Sequence, residues 1–339
     1  MFIPLKDNLK AASLPYMTIA LIVINCFVFI AFEGNDKALE TTVVKYGTTP
    51  YELSHPGTKC IPDETTQTAK CAPTAQMAAE NHTSYPNPWL TLLTSMFLHG
   101  GIFHIAGNML FLGVFGKAVE DAFGMFKYLG FYIAGGLAAD AGQIFFDTSA
   151  RFPGVGASGA IAAVMAAYLV MFPKAKITSL FMFLIPCEPR AMWVVGSFML
   201  DQAVMAWKMA GAGPGVGGVA VFAHWGGLIA GAAMTYAIMS REAIAEQRRR
   251  AELASAEPEA AAQLYGTDVY GNPLYMQAPA PYPPVAYPAA PYPAPYPPPY
   301  PPPYPPPQYP PQPAGAAAPL FVRDGAKRRT FTPPPRPPV

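Results

Sequence analysis

Six long apolar runs lie between residues 14 and 239, at 14–32, 102–119, 128–146, 159–172, 192–207 and 221–239, and their repetition narrows the fold more than any other feature. As a helix, a run of nearly 20 residues approaches the thickness of a bilayer's hydrocarbon core, about 30 Å. Inside hydrocarbon every backbone N–H and C=O must be paired within the protein, and a helix pairs its own. The expected fold is an all-α membrane protein, a six-transmembrane-helix bundle over residues 14–240. Charged residues are 13% of the chain, against roughly 25% in ordinary soluble domains. Mean hydropathy stays positive at +0.22 despite a long proline-rich tail. Ala31, Phe32 and Glu33 offer no clear cleavage site after the first run, so it reads as a retained helix and not a signal peptide.

The basic residues orient this bundle. Lys6 and Lys10 precede the first run, and Lys117 and Lys127 flank the turn between the second and third. Lys174 and Lys176 follow the fourth, and Arg241, Arg248, Arg249 and Arg250 follow the sixth. With six crossings all of these fall on one side, which the positive-inside rule makes cytoplasmic; Arg151, Lys208 and the lysines of the first loop are exceptions. Both termini are then expected in the cytoplasm of a bacterial inner membrane: residues 1–13 as a short N-terminus and 241–339 as a tail. Residues 33–98 become a long extracytoplasmic loop. A net charge of +1 gives no nucleic-acid surface.

Cys60 and Cys71 share that loop without CxxC spacing, so zinc fits poorly. They are candidates for a disulfide if the loop faces an oxidising compartment, with two free thiols as the alternative. Trp89 suits an interfacial position, and the apolar stretch 90–98, broken by threonines and a serine, reads as interfacial too. Of the 41 prolines, 28 lie beyond Ala251. Such a segment is polyproline-II or disordered. It is either a solubilising spacer or a docking segment for a cytoplasmic partner, and its Lys327-Arg328-Arg329 patch could meet anionic lipid.

Polar groups inside apolar spans point to function. Ser158 opens the fourth run in Gly156-Ala157-Ser158-Gly159, His224 sits near the start of the sixth, and His104 and Asn108 lie in the first turns of the second. The topology starts all three runs on the outer side, so these groups share a shallow depth; Asn108 lies one turn below His104 on the same face. A serine hydroxyl needs a base to become a nucleophile, which His224 can supply. His104 and the Asn108 amide can donate to the negative charge on an attacked carbonyl. The alternative is that a lone serine or histidine in a membrane helix only packs or bridges helices. Gly227 and Gly231 form a small-xxx-small face, matched by Gly159, Ala163 and Ala167, a packing signal that would bring the fourth and sixth helices together. A zinc site from His99, His104 and His224 lacks a fourth ligand, and no metal or cofactor motif is present. Asp140 and Asp201 are buried candidates for a polar partnership.

These motifs resemble the rhomboid family of intramembrane serine proteases: Gly156-Ala157-Ser158-Gly159, Ala223-His224-Trp225-Gly226-Gly227 through Gly231, and His99-Gly100-Gly101-Ile102-Phe103-His104 leading to Asn108-Met109, with Phe115-Gly116 and Glu120. The resemblance covers residues 14–240 and not the tail. It implies a Ser158/His224 dyad without an acidic third member, an oxyanion hole from His104, Asn108 and the Ser158 N–H, and no cofactor. It implies partners in the lipid bilayer and substrates that are single-span membrane proteins, cut within or near their transmembrane helix. The fifth span and the glycine-rich stretch 210–220 would gate access. Many family members carry a Trp-Arg pair in the first loop, whereas Trp89 here is followed by Leu90 and Thr91. The alternative within the same resemblance is a catalytically silent relative that binds and escorts membrane clients. A small transporter is a third reading, but its polar sites would lie at mid-membrane.

Overall fold

The computed structural model describes residues 2–9, 13–63, 68–182, 184–212, 221–249 and 251–252, all within one compact unit, Met1–Gln277. The proline-rich tail beyond 252 and the glycine-rich stretch 213–220 lie outside the described residues.

The chain begins with strand β1 (Phe2–Asp7) and helix α1 (Tyr16–Phe32). The first loop folds as α2 (Asp36–Tyr46), α3 (Pro50–Ser54), the hairpin β2 (Thr58–Asp63) and β3 (Thr68–Pro73), α4 (Thr74–Glu80) and α5 (Pro88–Thr94). Then come α6 (Ile102–Phe123), α7 (Met125–Phe146) and α8 (Ser158–Met171), the hairpin β4 (Ile177–Phe181) and β5 (Ile185–Cys187), α9 (Ala191–Ala212) and α10 (Val221–Ile238). The protein is an all-α, multi-spanning membrane protein. Among the described residues α6, α7 and α10 are long and apolar enough to cross a membrane. A fourth span results if α1 and α2, bent by 116°, count as one.

Helix α8 is the axis. Its residues from Gly159 to Tyr168 are all buried, as expected of a helix apolar on every side. Small residues let its neighbours close on it. A Cβ on Gly227 would lie 2.2 Å from the Gly159 carbonyl oxygen, and one on Gly231 would lie 2.4 Å from that of Ala163, so α10 sits directly on α8. Gly159 also faces α7, where its own Cβ would come within 2.5 Å of Ala139 Cβ.

Helix α1 has no side-chain N-cap of its own. Glu120 of α6 serves instead, accepting from the Met17 and Thr18 N–H groups at 2.8 Å each and from the Thr18 hydroxyl at 2.7 Å. A carboxylate on otherwise unpaired N-terminal N–H groups also meets the positive end of the helix dipole. Gly116, one turn earlier, leaves room for Tyr128 and Thr18, whose side chains a Cβ would strike.

Five short strands were not expected from the sequence. β1 pairs antiparallel with β4, and β4 with β5. Asp7 at the end of β1 is buried against Lys117 Nζ, at 2.5 Å, and accepts from the Tyr168 hydroxyl at 3.1 Å. Burial pushes the Asp7 carboxyl up, against the pull of Lys117 and Tyr168. At the same end of the bundle Arg248 donates to the Val170 carbonyl at 2.9 and 3.0 Å. The hairpin β2–β3 sets Cys60 opposite Cys71, and a disulfide joins them. Beside it the buried Lys59–Glu52 ion pair, 2.9 Å, ties the hairpin to α3.

Candidate active site

Ser158 is the first residue of α8, and the turn before it is held from the far side of the sequence. Thr48 and Gly154 exchange backbone hydrogen bonds at 3.0 and 2.8 Å, and the Gly156 N–H donates to the Ser95 carbonyl at 2.9 Å. The Thr48 hydroxyl donates to the Thr91 carbonyl at 2.8 Å and lies 3.0 Å from Ser95 Oγ. The first loop thus buttresses the turn that presents the serine. Gly156 has φ +135°, a conformation open to glycine, and a Cβ there would also come within 2.9 Å of the His104 ring.

His224 lies in the first turn of α10 and is 6% exposed. Its Nε2 is 2.8 Å from Ser158 Oγ, and its Nδ1 is 2.5 Å from Gln202 Oε1 on α9. The glycine contacts that bring α10 onto α8 set this spacing, since Gly227 is three residues beyond His224 and Gly159 one beyond Ser158. Phe198, also on α9, packs on the imidazole with ring centroids 5.5 Å apart.

Ser158 and His224 open into a cavity of about 500 Å³ that His104 and Asn108 also line. His104 Nδ1 accepts from the Gly100 N–H at 3.3 Å. In a neutral imidazole that leaves Nε2 as the protonated, donating nitrogen. The Asn108 Nδ2 is buried and has no hydrogen-bond partner among the described residues. His104 and Asn108 thus line the cavity that holds Ser158, and the Asn108 amide has a donor to spare.

His99 stands apart. It is fully buried, edge-on to His104 at 5.2 Å, and its backbone N–H donates to the Glu33 carboxylate at 3.0 and 3.1 Å. Desolvation, and then the neighbouring His104, push its imidazole down to about 3 against a weaker pull from Phe97. Asp201 accepts from Gln202 Nε2 at 3.4 Å. Asp140, for which the sequence predicts a polar partner, has an Oδ2 with none among the described residues. Gln202 was not singled out in the sequence, although it lies one helical turn after Phe198 in an apolar run. That spacing alone carries no chemical signal.

Residues 86–241, which include Ser158, His224, His104, Asn108 and Gln202, match the model of the Rhomboid domain. Over these residues the chain resembles the rhomboid family. It is similar to Rhomboid protein 1, mitochondrial, of Saccharomyces cerevisiae, 29% identical over 170 residues that cover 49% of this chain and 46% of the relative. Rhomboid protease GluP of Bacillus subtilis is 38% identical over 92 residues, 27% of this chain and 18% of the relative. RHOMBOID-like protein 12, mitochondrial, of Arabidopsis thaliana is 32% identical over 126 residues, 32% and 38% of the two chains. The chain spans less than half the length of each of these relatives.

Proposed function

We propose that this protein is an intramembrane serine endopeptidase that cleaves single-span membrane proteins within or near their transmembrane helix. The observation that carries the reading is the 2.8 Å contact between Ser158 Oγ and His224 Nε2 in the lining of a cavity. A silent client-binding relative has no need of that contact.

In this reading α1, α6, α7, α8, α9 and α10 are the six spans, with both termini cytoplasmic. At 1.5 Å per residue α8 is only about 21 Å long. Its N-terminus therefore ends below the outer surface and draws Ser158 down with it, into a cavity that water can reach. Ser158 Oγ attacks the scissile carbonyl while His224 Nε2 takes its proton. The His104 Nε2–H, the Asn108 amide and the Ser158 N–H stabilise the oxyanion. His224 then gives the proton to the leaving amine, and water hydrolyses the acyl-enzyme by the same route. The proline-rich tail is read as a cytoplasmic segment open to a partner.

The test is cleavage of a single-span substrate in liposomes by the full chain, by Ser158→Ala and by His224→Ala. Both variants are expected to lose cleavage, and a serine-directed phosphonate is expected to label the parent but not Ser158→Ala. Parent-like cleavage by either variant overturns the mechanism.

A further inference from the structure

We propose that Gln202 is a positioning residue for His224, so that the base is correctly set only while α9 is packed against α10. The proposal rests on the Ser158/His224 reading above and extends it to a residue outside the dyad.

The geometry supports a third member of neutral character. Gln202 is 4% exposed, although it sits on a helix whose Leu200 and Trp207 face outward. Its Oε1 is the hydrogen-bond partner of His224 Nδ1. The direction of the amide is fixed by its other end, because Nε2 faces Asp201 Oδ2 and a carboxylate oxygen accepts a hydrogen bond. Gln202 therefore presents an oxygen to Nδ1, which must carry the proton. That leaves the Nε2 lone pair aimed at the Ser158 hydroxyl, the tautomer a general base needs. An acidic orienter in a proton-transfer site also stabilises the imidazolium, whereas an amide supplies orientation and tautomer with no net charge. Placing a neutral group at this depth avoids the cost of an unpaired buried carboxylate.

The same helix holds the ring twice. Phe198 and Gln202 are four residues apart, on one face of α9. One packs on the imidazole and the other binds its Nδ1. Phe198 lines the cavity together with Phe111 of α6, their rings 6.3 Å apart. Any displacement of α9 from α10 therefore withdraws both supports of the imidazole at once. The titratable groups around His224 are His104 from α6 and, through the Gln202 amide, Asp201 of α9; α8 contributes the Ser158 hydroxyl.

The test measures kcat, KM and the pH–rate profile of the full chain in liposomes on a single-span substrate, for Gln202→Leu and Gln202→Glu. Gln202→Leu is expected to lower kcat roughly tenfold to a hundredfold with KM little changed, the cost of one well-placed hydrogen bond. Gln202→Glu keeps the acceptor and is expected to retain activity. Its carboxylate favours the imidazolium, so the acid limb of kcat/KM moves to higher pH by about one unit or more. A parent-like kcat in Gln202→Leu overturns the proposal. So does an inactive Gln202→Glu, or one whose acid limb has not moved. If Gln202→Leu fails gel filtration as a folded species, the Gln202→Glu profile decides alone. Ser158→Ala and His224→Ala run beside them separate the two readings. Activity in either removes the dyad, whereas two dead dyad variants with parent-like Gln202 variants remove only the positioning role.

Discussion

Gly231 on α10 lies so close to Ala163 on α8 that a Cβ added to it would sit 2.4 Å from the Ala163 carbonyl oxygen and 2.5 Å from its Cα. Both atoms are backbone, so the contact cannot be relieved by a rotamer change. The separation of the two helices, and with it the reach from His224 to Ser158, is set by the absence of side chains at Gly227 and Gly231.

Gly231→Ala is therefore expected to force α10 away from α8. Overpacking of this kind costs about 1–3 kcal/mol, and the proposed proteolysis should fall because His224 moves off Ser158. The control is Gly196→Ala on α9, where a Cβ meets nothing within 4 Å. There alanine should be neutral or should stabilise by about 0.5–1 kcal/mol, through backbone entropy alone. Thermal unfolding in detergent, read beside cleavage, checks both; equal losses in the two variants would contradict the packing argument.

Asn108→Ala separates a catalytic donor from a structural one. The Asn108 Nδ2 has no partner among the described residues, so removing it breaks no hydrogen bond that it donates in the resting protein. Thermal stability should hold or rise, because an unsatisfied buried donor is lost. If the amide meets the oxyanion, kcat should fall about 10²–10³-fold. A variant that unfolds early but cuts at the parental rate would place Asn108 in the scaffold instead.

His99 predicts an acid limit to stability. Its folded-state value, about 3, lies below the ordinary 6.5. Between those values the unfolded chain binds more protons than the folded one, so stability falls as pH drops. The contribution is fully present above 6.5 and is lost progressively toward about 3. His99→Leu removes the titration. The melting temperatures of parent and variant should converge or keep a fixed offset above pH 6.5, and the parent should lose more below it. Parallel curves through the whole window would show that another group sets the acid limit.

The apolar helices were legible because hydrocarbon demands length and apolarity, and both are written in local sequence. Ser158, His224, His104 and Asn108 stood out for the converse reason, as polar groups in apolar runs, and they line one cavity. Gln202 also breaks an apolar run, but beside the charged Asp201 its neutral amide carries no separate signal. Only the meeting of α9 with α10 reveals which of the two touches the histidine. Cys60 and Cys71 could be assigned to one loop, whereas the cross-strand register that joins them depends on a hairpin with no apolar alternation to announce it. β1 was illegible for a different reason. Phe2–Asp7 is a short mixed segment, and its strand character comes from a partner far along the chain.

That partner has a consequence for the order of assembly. Phe2 pairs with Phe181 and Asp7 with Ile177, so β1 leaves the ribosome about 170 residues ahead of the strand that receives it. Through all of that synthesis β1 carries an open strand edge while α6 and α7, both long and apolar enough to span, precede its partner in the chain. The sheet can close only when the hairpin between α8 and α9 emerges. Pairing across so long a span is slow for entropic reasons. The opening residues of the chain are therefore among the last to be fastened, and their capture by the hairpin marks the point at which α9 acquires an anchored base.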